Sequence, residues 1–220
     1  MKKFLLLPIL MTVTLCAFSA CRHLGKGVQG SGVRKTEKRD LPAFKSIETN
    51  GAFAVRVTCQ QAASFEIEGD DNLLPLIKTE VRNGVLHIFN NESYTTTKAI
   101  VVRIAVPDLD AISSTGAADI HVANVKNDQL TTGWQGAGRL EATGETKFVS
   151  ISSTGAGKID TSRLRAERAK VKVTGAASVD VYASQQLDAS VSGVGQVTYD
   201  GNPGVVNKSV SGLGSVNKKG

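Results

Sequence analysis

Thr115-Gly116-Ala117-Ala118-Asp119-Ile120 returns five times further along the chain. It comes back as Gln135-Gly136-Ala137-Gly138-Arg139-Leu140, Thr154-Gly155-Ala156-Gly157-Lys158-Ile159 and Thr174-Gly175-Ala176-Ala177-Ser178-Val179. The last two copies are Ser192-Gly193-Val194-Gly195-Gln196-Val197 and Ser211-Gly212-Leu213-Gly214-Ser215-Val216. Successive glycines lie 20, 19, 20, 18 and 19 residues apart. A unit of this length cannot bury an apolar face alone and must stack on its neighbours. Four residues after each glycine stand Ile120, Leu140, Ile159, Val179, Val197 and Val216. Two positions on stand Val122, Ala142, Thr161, Val181, Tyr199 and Lys218, and the odd positions between are mainly polar. That is the period of a strand with one buried face. The glycine and its small neighbours read as a sharp corner that needs permissive backbone angles.

A period of 18–20 residues suits three short strands joined by corners. A leucine-rich repeat would need its Leu-Asn pattern, and a propeller blade about twice the length. The chain therefore reads as all-β, a single-stranded right-handed parallel β-helix with coils of 18–20 residues. Coils ~4.8 Å apart make six of them a rod ~30 Å long. Lys218 and Lys219 fall where the last coil exposes its edge, as charges that deter end-to-end sticking. Gly51, with Val55 and Arg56 after it, fits the same frame.

The N-terminal half is less regular. Phe53–Thr58, Ser64–Glu68, Val85–Phe89 and Ile100–Val106 alternate as strands do. Asp70-Asp71-Asn72 before Leu73-Leu74-Pro75-Leu76-Ile77 predicts one short helical turn, with the polar trio as its cap. The trio lacks the alternate-position spacing of a calcium loop.

Residues 1–20 read as a secretory signal: Lys2 and Lys3, an apolar run from Phe4 to Leu15, then Ala17-Phe18-Ser19-Ala20. Cys21 follows small residues as the acylated cysteine of a bacterial lipoprotein does, although Phe18 replaces the usual leucine. Residues 21–41 read as a lipidated, Gly-rich tether, and residues 42–217 as the folded domain. After the signal and Cys21, Cys59 is the remaining cysteine, so no disulfide pair supports the body. Cys59 lies in an alternating run and reads as a small buried apolar residue.

The charge map argues against nucleic acid. The segment Arg22–Asp40 carries Arg22, Lys26, Arg34, Lys35, Lys38 and Arg39 against Glu37 and Asp40. Beyond Asp40 there are 18 residues of each sign, and aromatics make up 5% of the whole chain. A nucleic-acid binder carries its basic stripe on the fold, with aromatics to stack on bases. The basic tether reads either as a solvated spacer or as a contact to anionic headgroups. The residues after Cys21, Arg-His-Leu-Gly-Lys, lack an acidic surface-export run and point to the periplasmic side of the outer membrane.

Four features of the body invite a site. Glu141, Asp160 and Asp180 would stack as carboxylates in adjacent coils, with Arg139 and Lys158 two residues earlier to neutralise them. Asp119 and His121 share a face, without a third metal ligand in view. Trp134 beside a corner either packs between coils or stacks on a sugar. Arg163, Arg165, Arg168, Lys170 and Lys172 put five cations into ten residues with only Glu167 opposing. This is the one local charge asymmetry of the body, and it reads either as a solvated strand-turn face or as a contact to an anionic polymer such as an acidic glycan.

The motifs also resemble a known family. They are Gly30-Ser31-Gly32, Phe44 and Ile47 leading to Asn50-Gly51, Asp70-Asp71-Asn72-Leu73-Leu74-Pro75, Thr79-Glu80-Val81-Arg82-Asn83-Gly84 and Val102–Leu109, completed by the glycine repeats. Together they resemble the bacterial auto-transporter adhesin head, or head GIN domain, from about Gly30 to Val216. The resemblance implies a β-helical envelope protein, commonly a lipoprotein of Bacteroidota-like bacteria. It transfers no catalytic or ligand residues.

No nucleophile–base pair, metal motif or cofactor motif is present in the sequence. The chain therefore reads as a non-catalytic envelope lipoprotein whose rod presents an adhesive or ligand-binding face, its partner a glycan or an envelope protein. The alternatives are a polysaccharide-active β-helix enzyme, disfavoured because spacings of 18–20 leave almost no room for cleft-building loops, and a structural or regulatory scaffold for a protein partner.

Overall fold

The structure, a computed structural model, describes residues 27–220. The segment expected to be a signal, and Cys21, lie outside the described residues. Fourteen strands and one short 3-10 turn follow one another, and no helix among the described residues is long and apolar enough to cross a membrane. The strands are β1 (Val28–Gln29), β2 (Arg34–Lys38), β3 (Ser46–Thr58), β4 (Ser64–Asp70), β5 (Ile77–Arg82), β6 (Val85–Asn90) and β7 (Tyr94–Thr95). After β8 (Ile100–Ala105) come the long runs β9 (Ala111–Ser153) and β10 (Ala156–Tyr182). β11 (Gln186–Gly193), β12 (Gln196–Asp200), β13 (Val205–Gly212) and β14 (Ser215–Lys218) complete the chain.

The repeat sets the register. Ile159 pairs with Leu140, Val179 with Val197, and Val197 with Val216, all in parallel. β3 joins the same stack, with Gly51 opposite Gly116 and Val55 opposite Ile120. Each rung thus lies on the one before it, and the side chains of one column touch across rungs. Val55, Ile120, Leu140, Ile159, Val179 and Val197 are wholly buried, and Val216 in the last rung nearly so. Such a column removes continuous apolar surface from water at roughly 25 cal/mol per Å².

The first half departs from a purely parallel coil, and the sheet is mixed. β2 runs antiparallel to β4, β4 to β8, and β5 to β6. The cause is the long insertion between Thr58 and Ala111, which carries none of the glycine corners. It folds back on itself instead, turning at Asn83 (φ 52°) and Gly84 (φ 75°) between β5 and β6. Two successive positive-φ residues make the tight turn whose twist suits a hairpin.

The short turn exists at Leu74–Leu76, but its cap is Leu73, and no side chain caps it. The polar trio does something else. The Asp70 carboxylate, 2% exposed, accepts from Thr96 Oγ1 at 3.1 Å and the Gly32 amide at 3.3 Å, and lies 3.5 Å from Arg34 Nη1. Asn72 accepts from the Ser31 amide at 2.9 Å and donates to the Gln29 carbonyl at 2.8 Å. The trio clasps residues 29–34 to the body: the Ser31 and Gly32 amides lie between β1 and β2, outside either ladder, and are satisfied by side chains.

Candidate functional site

Outward positions on one sheet face carry a ladder of charges that runs from rung to rung. Arg103 reaches Glu68 at 2.8 Å and Glu66 at 3.3 Å, and Glu68 also meets Arg34 at 3.2 Å. Hydrogen bonds from Arg103 and then Arg34 hold the Glu68 carboxyl below its ordinary range. Further along, Arg56 meets Asp119 at 2.7 Å. Burial works to raise the Asp119 carboxyl, and the Arg56 and His121 contacts together outweigh it and leave it lowered. His121 lies 3.1 Å from Asp119 and 3.3 Å from Glu141, and Glu141 also pairs with Arg163.

Lys158 reaches Asp180 at 3.2 Å, and Asp160 accepts from the Ser162 amide and hydroxyl. The carboxylates Glu141, Asp160 and Asp180 are therefore already engaged. Among the described residues no group of three His, Cys, Asp or Glu has metal-holding geometry. Trp134 is 1% exposed, so it packs inside the stack and offers no surface for a sugar. Cys59 is equally buried; burial, and then the charge of Asp108, push its thiol up to about 11. At that value the nucleophilic thiolate is scarce at neutral pH.

The basic stretch is split by a corner. Leu164 and Ala166 are buried, as are Ala169, Val171 and Val173, but Glu167 and Arg168 are both exposed. The alternation slips by one residue there, so Arg163 and Arg165 lie on a different face from Arg168, Lys170 and Lys172. Arg163 is spent on Glu141. Arg165 stacks 4.6 Å over the Tyr182 ring, beside a cleft of about 480 Å³ in which Lys147 pairs with Asp128 at 2.7 Å.

Arg168, Lys170 and Lys172 point outward at alternate positions of one strand, about 6.7 Å apart. None has a carboxylate partner among the described residues, although Asp188 stands directly opposite Lys170. The Asp188 carboxylate is taken by Gln186 Nε2 at 2.8 Å and Asn207 Nδ2 at 2.7 Å. Ser150 and Ser152 flank the row on one side and Ser190 on the other. Arg168 lies 5.8 Å over the Phe148 ring, within cation–π range. A larger cleft, about 690 Å³, opens between Leu41, Phe44, Phe65 and Val106. Its rim mixes Lys38 and Lys45 with Asp40, Asp108 and Asp110, so it selects neither sign of charge.

Fold and surface together define a repeat-built all-β protein with one charge-paired face and one row of unpaired cations. The chain belongs to the family described as "putative auto-transporter adhesin, head GIN domain", whose family model covers residues 43–203. Its structure is similar to that of a "putative adhesin" from Bacteroides fragilis, at 22% identity over 88% of this chain and 100% of the other, with a TM-score of 0.70. A second "putative adhesin", from Parabacteroides distasonis, matches at 17% identity over 87% of this chain and 99% of that one, with a TM-score of 0.55. A "putative lipid binding protein" of the same organism matches at 21% identity, over 88% of this chain and 99% of its own, with a TM-score of 0.50. No curated protein matches the chain.

Proposed function

We propose that this is a non-catalytic, lipid-anchored envelope protein, a right-handed β-helical rod that binds an acidic glycan through Arg168, Lys170 and Lys172. Cys21 carries the anchor, and the body faces the periplasm from the outer membrane. The observation that carries the binding reading is the contrast between faces. Arg34, Arg56, Arg103, Lys158 and Arg163 are each paired with carboxylates, whereas the row on β10 keeps three cations unpaired beside hydroxyls. Hydroxyl groups next to fixed cations suit a ligand that offers both anions and sugar hydroxyls. The family name and the adhesin names of the structural neighbours agree with a binding role.

Titration with polygalacturonate tests it, with a neutral glucan as the blank. Reversing Arg168, Lys170 and Lys172 to glutamate is expected to weaken binding at least tenfold. Reversing Lys78, Lys98 and Lys126, three exposed lysines elsewhere, changes the net charge equally and leaves binding within about twofold. Equal losses in the two triples, or no binding by the wild type, would sink the reading. The anchor has its own test: Cys21→Ser should abolish incorporation of labelled palmitate and move the protein from the membrane to the soluble fraction. Unchanged labelling would remove Cys21 from the account.

A further inference from the structure

The two ends of the stack differ. At one end the terminal strand β2 is Arg34-Lys35-Thr36-Glu37-Lys38, a charged edge of the kind that blocks further pairing. At the other end β13 pairs only with β11 and β14 only with β12, leaving their outer edges open among the described residues. Four of the five exposed large apolar side chains lie at or beside this end: Val194, Val205, Val210 and Leu213, the last 89% exposed. Val210 continues the column of Val173 and Val191, which are 0% and 1% exposed, yet it is 45% exposed itself. The apolar core therefore reaches the surface here.

The edge also has a definite hydrogen-bonding parity. The Val205 amide donates inward to Gln185. Alternation along the strand then turns the N–H and C=O of Val206, Lys208 and Val210 outward, without a ladder partner. On β14 the corresponding outward carbonyl, that of Val216, accepts from Lys208 Nζ at 3.0 Å, with the ammonium 5.0 Å over the Tyr199 ring. Lys208 stands where Ile151, Val171 and Ala189 stand in earlier rungs. It occupies one outward carbonyl of β14 and none of β13.

Charge decides what can occupy the edge. From Gly201 to Gly220 the chain has Lys208, Lys218 and Lys219 and no aspartate or glutamate. A second copy meeting end to end would bring six ammonium groups together, which disfavours it. We infer that β13 receives an extended acidic segment of a partner protein as an added strand. Its backbone bonds Val206, Lys208 and Val210, its apolar side chains cover Val206 and Val210, and a carboxylate on the same side between them meets Lys208, with Lys218 and Lys219 adding to the attraction. Strand addition of this kind draws affinity from main-chain bonds and specificity from alternate side chains. The site is separate from the Arg168 row and does not depend on it.

The probe is an end-blocked heptapeptide, Thr-Val-Thr-Glu-Thr-Val-Thr, titrated into the 15N-labelled protein, with the same peptide carrying lysine in place of glutamate as the counterpart. Chemical-shift changes are expected with the glutamate peptide alone, confined to amides between Val205 and Lys218. Val210→Pro removes one outward N–H while sparing the inward ladder, and should weaken binding at least tenfold. Should that variant lose its fold, reversal of Lys208, Lys218 and Lys219 to glutamate serves instead; it should abolish binding of the glutamate peptide and confer binding of the lysine peptide. Shifts elsewhere, equal response to both peptides, or no response would overturn the inference. So would concentration-dependent dimerisation of the wild type through these same amides, which would make a second copy the occupant.

Discussion

Gly116→Ala is expected to destabilise the protein by about 3 kcal/mol, a single methyl group acting through two additive causes. Gly116 has φ 118°, far from the region that alanine tolerates. Strain of that kind costs on the order of 1–3 kcal/mol. The second cause is the stack itself. A Cβ at Gly116 would sit 2.7 Å from the carbonyl oxygen and 3.1 Å from the nitrogen of Gly51 in the rung beneath. Those are backbone atoms held by the ladder and cannot swing aside. At roughly 2–4 °C per kcal/mol for a chain of this size, the melting temperature should fall by about 6–12 °C. Gly193, with φ 120° and the Gly175 oxygen 2.8 Å from its notional Cβ, should respond in the same way. Gly32→Asn is the contrast, because φ is 78° there and nothing lies within 4 Å. Asparagine tolerates such angles, so that variant should melt within about 2 °C of the wild type. If Gly116→Ala proved as mild, the glycine ladder would not be what brings the rungs together.

Much of this arrangement is legible in the sequence, since the glycine frame carries both register and burial. The column from Ile120 to Val216 consists of the +4 positions, and Gly51 with Val55 fits the same frame. Hydrogen-bonding partners distant in sequence are another matter. Asp70 and Asn72 look like a helix cap because capping is local, while their real targets, Gln29 to Arg34, lie about forty residues upstream. The antiparallel strands of the first half were readable as strands but not as antiparallel, because alternation says which side is buried and nothing of direction. The Asn83-Gly84 dipeptide was the available signal for the β5–β6 turn.

The basic stretch shows a different kind of gap. Five cations in ten residues read as one patch because the count ignores direction. The information that divides them is in the sequence: Leu164 and Ala166 are in one phase of the alternation, and Ala169, Val171 and Val173 in the other. A slip of one residue at Glu167–Arg168 is a corner, and a corner turns the following side chains onto a new face. What the sequence could not say is which cations were spent. Arg163 pairs with a residue in the preceding rung, and Lys170 stays unpaired because Gln186 and Asn207 occupy Asp188.

The largest single loss is expected from Trp134→Ala. Trp134 takes the position two before its glycine, where neighbouring rungs have Ser114 and Ser153. Both neighbours are small and buried, at 3% and 1% exposure, and that is what leaves room for an indole in a stack built mainly of aliphatic side chains. Gly157 completes the fit, since a Cβ there would come within 3.1 Å of Trp134 Nε1. Removing the ring leaves a hole that serines cannot fill and rigid rungs cannot close, and truncations of this kind cost about 3–5 kcal/mol. The melting temperature should drop by roughly 6–20 °C. Trp134→Phe distinguishes packing from polar anchoring. Nε1 has no hydrogen-bond partner among the described residues, and neither do the hydroxyls of Ser114, Thr132 and Ser153. An unpartnered buried donor contributes nothing by being there, so phenylalanine keeps most of the volume while deleting a group that burial penalises. It should therefore recover more than half of the loss caused by alanine, as followed by thermal melts in circular dichroism. A Trp134→Phe variant as unstable as Trp134→Ala would mean that the indole nitrogen, and not the ring, holds the rungs together at this point.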